Sequence, residues 1–248
     1  MELYGNQQLG VPGSTLGNKD RVSTKIAGQA IAPGDALFSA IGDPETVYKA
    51  GLTATAVTIS ALVESNRVAL TVNSVAVDPV TVVGTGTVET ARAIVDAING
   101  NETLYGQNVT AFFNDAAPLK IYVQAPSTAP IVTGTITGGA TQGTVTSAAF
   151  TSNIFVGVAL YTAILAHRKE RGFYQKTDAV NALERGVILV PITSTTVPAF
   201  GKPAYIVLTG ADAGKFSDVS TSNYDAGCVF YGSQADLNTA YVEVRGIK

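Results

Sequence analysis

YQKTDAVNALERGVILVPIT, residues 174–193, is the stretch whose reading decides the fold. Lys176, Thr177 and Asp178 make a polar turn, residues 179–183 a short semi-apolar run, Glu184, Arg185 and Gly186 a break, and residues 187–192 an apolar and mostly β-branched run. That is the pattern of strand, tight turn and buried strand. A helix capped by Thr177 and stopped by Gly186 also fits the spacing of Val180 and Leu183. The strand-rich neighbourhood favours the hairpin.

Working outward, residues 154–165 read as a strongly apolar strand or strand pair around Gly157, followed by a charged patch, His167 to Arg171, that closes at Gly172. On the C-terminal side, a turn at Gly201, Lys202 and Pro203 sets a strand over 204–208. Residues 210–214 form a loop, and the last strands cover 228–231 and 241–244. Near the N-terminus, residues 25–32 and 36–41 flank Pro33, Gly34 and Asp35, where Pro fixes φ and Gly supplies the positive φ of a type II turn, predicting a hairpin that ends at Gly42. PGDALF (33–38), KTDAVNAL (176–183) and GKPAYIV (201–207) share a turn, then Ala, then a strand, a weak repeat that suggests strands of similar length re-entering from one rim. Residues 1–22, with glycines and singly scattered apolar residues, read as an extended arm or a loop.

Between residues 51 and 150 the texture changes to Thr, Val, Ala and Ser. Strands are expected over 68–72 and 75–83 around Asn73 and Ser74. A helix follows Gly84, Thr85 and Gly86, with Thr87 as cap, an apolar stripe of Val88, Ala91, Ile94, Val95 and Ile98, and Gly100 as a left-handed stop. Strands over 109–113 and 119–124 complete a ββαββ module of α+β type. The Thr- and Gly-rich run 134–143 leads the chain back out.

Charged residues make up 14% of the 248, and Trp is absent. A surface of Thr, Ser, Asn, Gly and Ala suits a subunit that spends its life packed against others, because covering neutral groups avoids stranding charge. An ordinary β protein with a Thr-rich exterior fits the same composition. A net charge of −3 argues against nucleic acid as the main partner. No apolar run approaches the length of a membrane span, and MELYGNQQLG lacks the basic and apolar parts of a signal peptide. Synthesis in a cytosol is expected, with the protein staying there or leaving by another route such as cell lysis. The lone Cys228 permits no internal disulfide and reads as a small buried hydrophobe.

Catalytic chemistry finds little support. The Gly84–Gly86 turn lacks a third glycine and puts Glu89 where a phosphate would sit. His167 is the only histidine; its neighbours are Arg168, Lys169 and Arg171, and no Ser or Cys motif stands near it. Asp212 with Asp218, and Asp43 with Glu45, lack the cadence of a calcium loop. The expectation is no enzyme, no metal and no cofactor. The basic patch reads either as a solvated turn or as a rim that docks on an acidic neighbouring subunit.

The arm with LGVPGS, the phrases AGQAIAPGDALF, FVGVALYT and YQKTDAVNALERGVILVPI, then FGKPAYIVLTG and AYVEVRG, together resemble the structural cement, or capsid decoration, proteins of tailed bacteriophages. The resemblance covers residues 8–48 and 152–248. It implies a mainly β fold, a β-barrel built from the N- and C-terminal segments (23–50 and 151–248), with an arm over 1–22 and an inserted ββαββ α+β domain over 51–150. It further implies a virion protein that binds the outside of the phage head, partners the major capsid protein and bridges capsomers, as a dimer or trimer. Leu3, Tyr4, Leu9, Val11 and Leu16 of the arm, with His167, Arg168, Lys169 and Arg171, are the expected capsid or subunit contacts. The alternative is a tail, fibre or other surface protein whose insert binds a host glycan.

Overall fold

The computed structural model describes residues 12–13, 15, 21–40, 42–49, 52–60, 62–83, 87–114, 116–126, 128–139, 143–152, 154–162, 172–194, 198–231 and 238–246. The chain divides into two compact units, one of Met1–Gly51 with Asn153–Lys248, the other of Leu52–Ser152. The first unit opens with β1 (Arg21–Ala27), β2 (Ala36–Ala40) and β3 (Asp43–Tyr48).

The second unit then runs β4 (Leu52–Ile59), β5 (Arg67–Val72), β6 (Val75–Ala76), β7 (Val80–Thr81), α1 (Thr87–Asn99), α2 (Glu102–Gly106), β8 (Thr110–Asn114), β9 (Ala117–Pro126), β10 (Val132–Thr137) and β11 (Val145–Ser152). One antiparallel sheet has the order β11-β4-β9-β8; the other is β10-β5-β6, with β7 also on β5. β5 alternates buried and less buried residues, as a half-covered strand must. The core joins Val57, Ile121 and Val123 of the first sheet to Val68, Leu70 and Ile136 of the second and to Ile94, Val95 and Ile98 of α1. Asn73 and Ser74 both adopt positive φ in the two-residue turn between β5 and β6. Gly100 does not take the left-handed conformation expected of it. α2 follows directly, capped by Asn101, whose side chain accepts from the Thr103 and Leu104 N–H groups. The strand expected over 75–83 is two short pieces, and the run read as a connector contains β10, whose Thr residues pair as readily as Val on a pleated surface.

The chain returns to the first unit through β12 (Phe155–Ala159), β13 (Ala179–Pro191), β14 (Pro203–Val207), β15 (Phe216–Ser217), β16 (Asn223–Phe230) and β17 (Thr239–Val244). Five strands close on themselves in the order β1-β3-β2-β12-β13 and back to β1. This closed β-barrel joins the N-terminal strands to the C-terminal ones. From β13 the sheet continues as β17-β16-β14-β15, and it curls back where Thr193 N donates to Phe216 O at 2.9 Å.

The opening stretch is therefore neither hairpin nor helix. β13 is one strand of 13 residues. Residues 179–185 pair with β1, the last pair being Arg21↔Arg185; from Gly186↔Val244 onward the partner is β17. Gly186 has φ 142°, a conformation L side chains avoid, and it marks the point at which the strand leaves one sheet for the other. Glu184, read as part of a break, is buried, with its Oε2 2.6 Å from Arg21 Nε. Pairing with β1 absorbed the polar triplet that resembled a turn.

Two cores flank this strand. Ala27, Leu37, Val47, Val156, Val180 and Ala182 pack together on one side of the barrel wall. Phe38, Phe155, Leu183, Ile188, Phe216, Phe230 and Val242 belong to the other cluster. β2 and β12 are buried at every residue, which explains their short, largely apolar sequences. The turn at 33–35 forms, with Gly34 at φ 86° and Asp35 N donating to Ala32 O. The strands beside it do not pair as a hairpin: β1 pairs with β13 and β3, while β2 pairs with β3 and β12. β3 falls on residues read as the end of that hairpin.

The weak repeat has a structural cause. Ala32 N donates to Asp35 Oδ2 at 2.8 Å, and Gln175 N donates to Asp178 Oδ2 at 2.7 Å. In each turn the residue before the aspartate has positive φ, Gly34 in one and Thr177 in the other. Ile31 and Tyr174 link the two turns by reciprocal backbone hydrogen bonds of 3.0 and 2.8 Å. The third copy closes through Lys202 N to Ala199 O. The three turns launch β2, β13 and β14.

Candidate interaction surface

Leu3, Tyr4, Leu9, Val11, Leu16, His167, Arg168, Lys169 and Arg171 lie outside the described residues, as does the turn at 84–86. What the structure does fix is where the N-terminal segment meets the barrel. Gly13 N donates to Leu189 O at 2.7 Å, Tyr161 N donates to Gly13 O at 3.0 Å, and Thr15 bridges antiparallel to Ile188. Gly13 and Thr15 thus extend the course of β1 along β13. The fit requires glycine: φ is 87°, and a Cβ there would stand 2.6 Å from Tyr161 N and 2.8 Å from Pro33 Cβ.

On β13, Ile188 and Val190 point into the core, so Leu189 and Pro191 face the other way. Leu189 is nevertheless fully buried. A Cβ on Gly34 would stand 2.8 Å from Pro191 Cδ and 3.0 Å from Pro12 Cβ, so Pro12 and the 33–34 turn lie over this part of the strand. A row of rings continues from that cover. Leu189 is in register with Tyr241. Tyr231 N donates to the Tyr241 carbonyl at 2.7 Å, and Phe230 and Val242, next in each strand, are core residues, so the two tyrosines share the outer face. Phe200, in the turn that launches β14, packs on Tyr231 with ring centroids 5.6 Å apart. Phe200 is 71% exposed and Tyr231 42%.

Phe200 and Tyr231 escaped the sequence reading. Phe200 stands just before the turn read at Gly201, Lys202 and Pro203, and a large ring beside a turn, where small polar residues are the rule, was the available signal. Beyond the row the face turns to charge, with Arg245 Nε 3.0 Å from Glu243 Oε2 and Asp225 exposed. Aromatic anchors beside a polar rim are the composition of a protein-binding surface.

The chemistry available elsewhere is structural. Burial pushes the Cys228 thiol up to about 12, with Asp225 adding to it, so the thiolate nucleophile is suppressed. Burial also raises Tyr174, whose hydroxyl donates to Leu160 O at 2.7 Å, and lowers Lys176. Asp35, buried at the first turn, is raised to about 6 by desolvation, against the opposing effects of the Ala32 N–H, Lys49 and Lys215. Among the described residues no group of His, Cys, Asp and Glu is placed to hold a metal ion, and no helix is long and apolar enough to cross a membrane.

A family model described as "Structural cement protein (E217 gp24/Pam3 gp6)" matches residues 123–245. The chain resembles the phage structural cement proteins. The matched segment of this cement-like chain contains β12 to β17 and with them Phe200, Tyr231 and Tyr241. No curated protein matches the chain. Among solved structures it is similar to a chain of the capsid of Myoviridae phage XM1, at 22% identity and a TM-score of 0.33, covering 39% of this chain. The alignment spans 64% of that capsid chain, under two thirds of its length.

Proposed function

We propose that this protein is a capsid structural component of a phage, a cement that binds the outer surface of the assembled head and bridges neighbouring capsomers. The match of residues 123–245 to the structural cement family carries the reading. The outer face of β13, β17 and β16 supports it, because Phe200 and Tyr231 expose large rings next to the point where the N-terminal segment is held. Interfaces of about 1,200–2,000 Å² suffice for a stable contact, and repeated copies on a lattice multiply the effect. Such a protein works by covering surface. It needs no reacting group.

The test is cosedimentation of the purified protein with preformed heads that lack it, followed by a heat challenge. Saturable binding and a higher temperature of head disruption are expected. Failure to sediment with heads at any concentration, with binding instead to tails or to host glycan, would transfer the protein to the tail or fibre class.

A further inference from the structure

β11 closes one side of its sheet, and among the described residues its hydrogen-bonded neighbour is β4 alone. That pairing keeps register through all eight pairs, from Val145↔Ile59 to Ser152↔Leu52, with no bulge. Thr146, Ser147, Ala148 and Ala149 are all exposed. Consecutive strand residues point to opposite faces, so both faces of this segment are open as well as its free edge. β10 runs beside part of the strand, where Val145 Cγ1 would lie 3.3 Å from a Cβ on Gly134, and residues 146–149 stay exposed beyond it.

Proteins ordinarily disarm such an edge with charge, proline, a bulge or brevity. The opposite edge of the same sheet does so: β8 has five residues, with a register shift between Phe113 and Asn114. β11 has none of these devices. Its sequence, VTSAAFTS, contains no charged residue, proline or glycine, and at eight residues it presents about 27 Å of edge with no pairing partner among the described residues.

We propose that β11 pairs antiparallel with β11 of a second copy, so that two sheets become one continuous sheet across a two-fold axis. The sequence suits a strand meeting itself. A two-fold normal to the sheet keeps each face on its own side, so the residue at the centre must meet its own copy. The middle of the strand offers Ala148 and Ala149 for that position, the smallest side chains in the segment. No residue of the strand sets a charge against its like, which would oppose self-pairing. The contact is small, so it is weak between free molecules and favoured where copies are held close together. The inference is independent of shell binding.

The experiment uses the full chain, with Cys228 left in place because it is buried. Ala148→Cys and Ala149→Cys are oxidised under mild conditions beside Thr221→Cys, an exposed control position. At least one of the two β11 variants is expected to form disulfide-linked dimer ten or more times faster than the control. Sedimentation velocity at rising concentration is expected to show a wild-type monomer–dimer equilibrium that Ser147→Lys and Ala148→Lys each shift to monomer, with circular dichroism unchanged. Cross-linking no faster than the control overturns the proposal. So does a dimer that both lysine variants leave intact, which would place the contact elsewhere, and so does a wild type that stays monomeric throughout.

Discussion

Replacing Gly13 by alanine tests how firmly the N-terminal segment is tied to the barrel. At φ 87° an L side chain costs about 1–2 kcal/mol. The added Cβ would also meet Tyr161 N at 2.6 Å and Ala159 O at 3.1 Å. Neither backbone atom is free to retreat, since Tyr161 N donates to Gly13 O and Ala159 O accepts from Gly34 N at 2.7 Å. The strain is released by lifting residues 12–15 off β13. That forfeits the two hydrogen bonds of Gly13, about 0.5–1.5 kcal/mol each, and uncovers part of Leu189, up to about 2 kcal/mol more. The expected loss in urea-measured stability is about 1–5 kcal/mol, with faster proteolysis before residue 21. Gly201→Ala is the control: φ is 78°, but nothing lies within 4 Å, so the conformational cost of about 1–2 kcal/mol stands alone. If Gly13→Ala destabilises no more than Gly201→Ala and is cleaved no faster than wild type, the segment is not anchored as described.

Four further outcomes follow from the same geometry. The Asp35 carboxyl ionises near 3.8 in the unfolded chain and near 6 in the fold, so the folded state binds more protons in that window and stability falls as pH rises through it, by about 3 kcal/mol in all. Asp35→Asn, which can still accept from Ala32 N–H, should flatten that slope and be more stable at pH 7; a urea titration series against pH reads both, and an unchanged slope contradicts the assignment. Cys228 should resist alkylation at pH 8 until the protein unfolds, as a mass-spectrometric time course would show. Excising residues 52–152 should leave a folded barrel, because Leu52 and Ser152 are register partners and their chain ends lie about 5 Å apart; loss of the β-sheet circular dichroism would show the middle unit to be required. Phe200→Ala and Tyr231→Ala should each weaken binding to heads tenfold or more while leaving the melting temperature within a few degrees, since both rings are substantially exposed.

Part of the barrel was legible because two of its strands, ALFSA and FVGVA, are buried at every residue and so stand out as largely apolar runs. Partnership was harder to read. The PGD turn announces a reversal, yet β1 and β2 pair with other strands, since which strands meet depends on how the barrel closes. Glu184, Arg185 and Gly186 misled for a related reason: a polar triplet with glycine signals a turn locally, whereas here long-range pairing with β1 satisfies Glu184 and the glycine serves a change of sheet. The aromatic row was invisible because it is assembled across strands. Tyr231 and Tyr241 are ten residues apart in sequence, and Leu189 and Phe200 come from separate elements.

That this barrel covers the phage head is the proposal on which the rest depends. A cryo-electron microscopy map of heads incubated with the purified protein tests it most directly. The prediction is added density on the outer surface, spanning adjacent capsomers, into which the five-strand barrel fits with Phe200 and Tyr231 against the shell. Heads whose surface remains bare under saturating protein, or density confined to a tail, would contradict it.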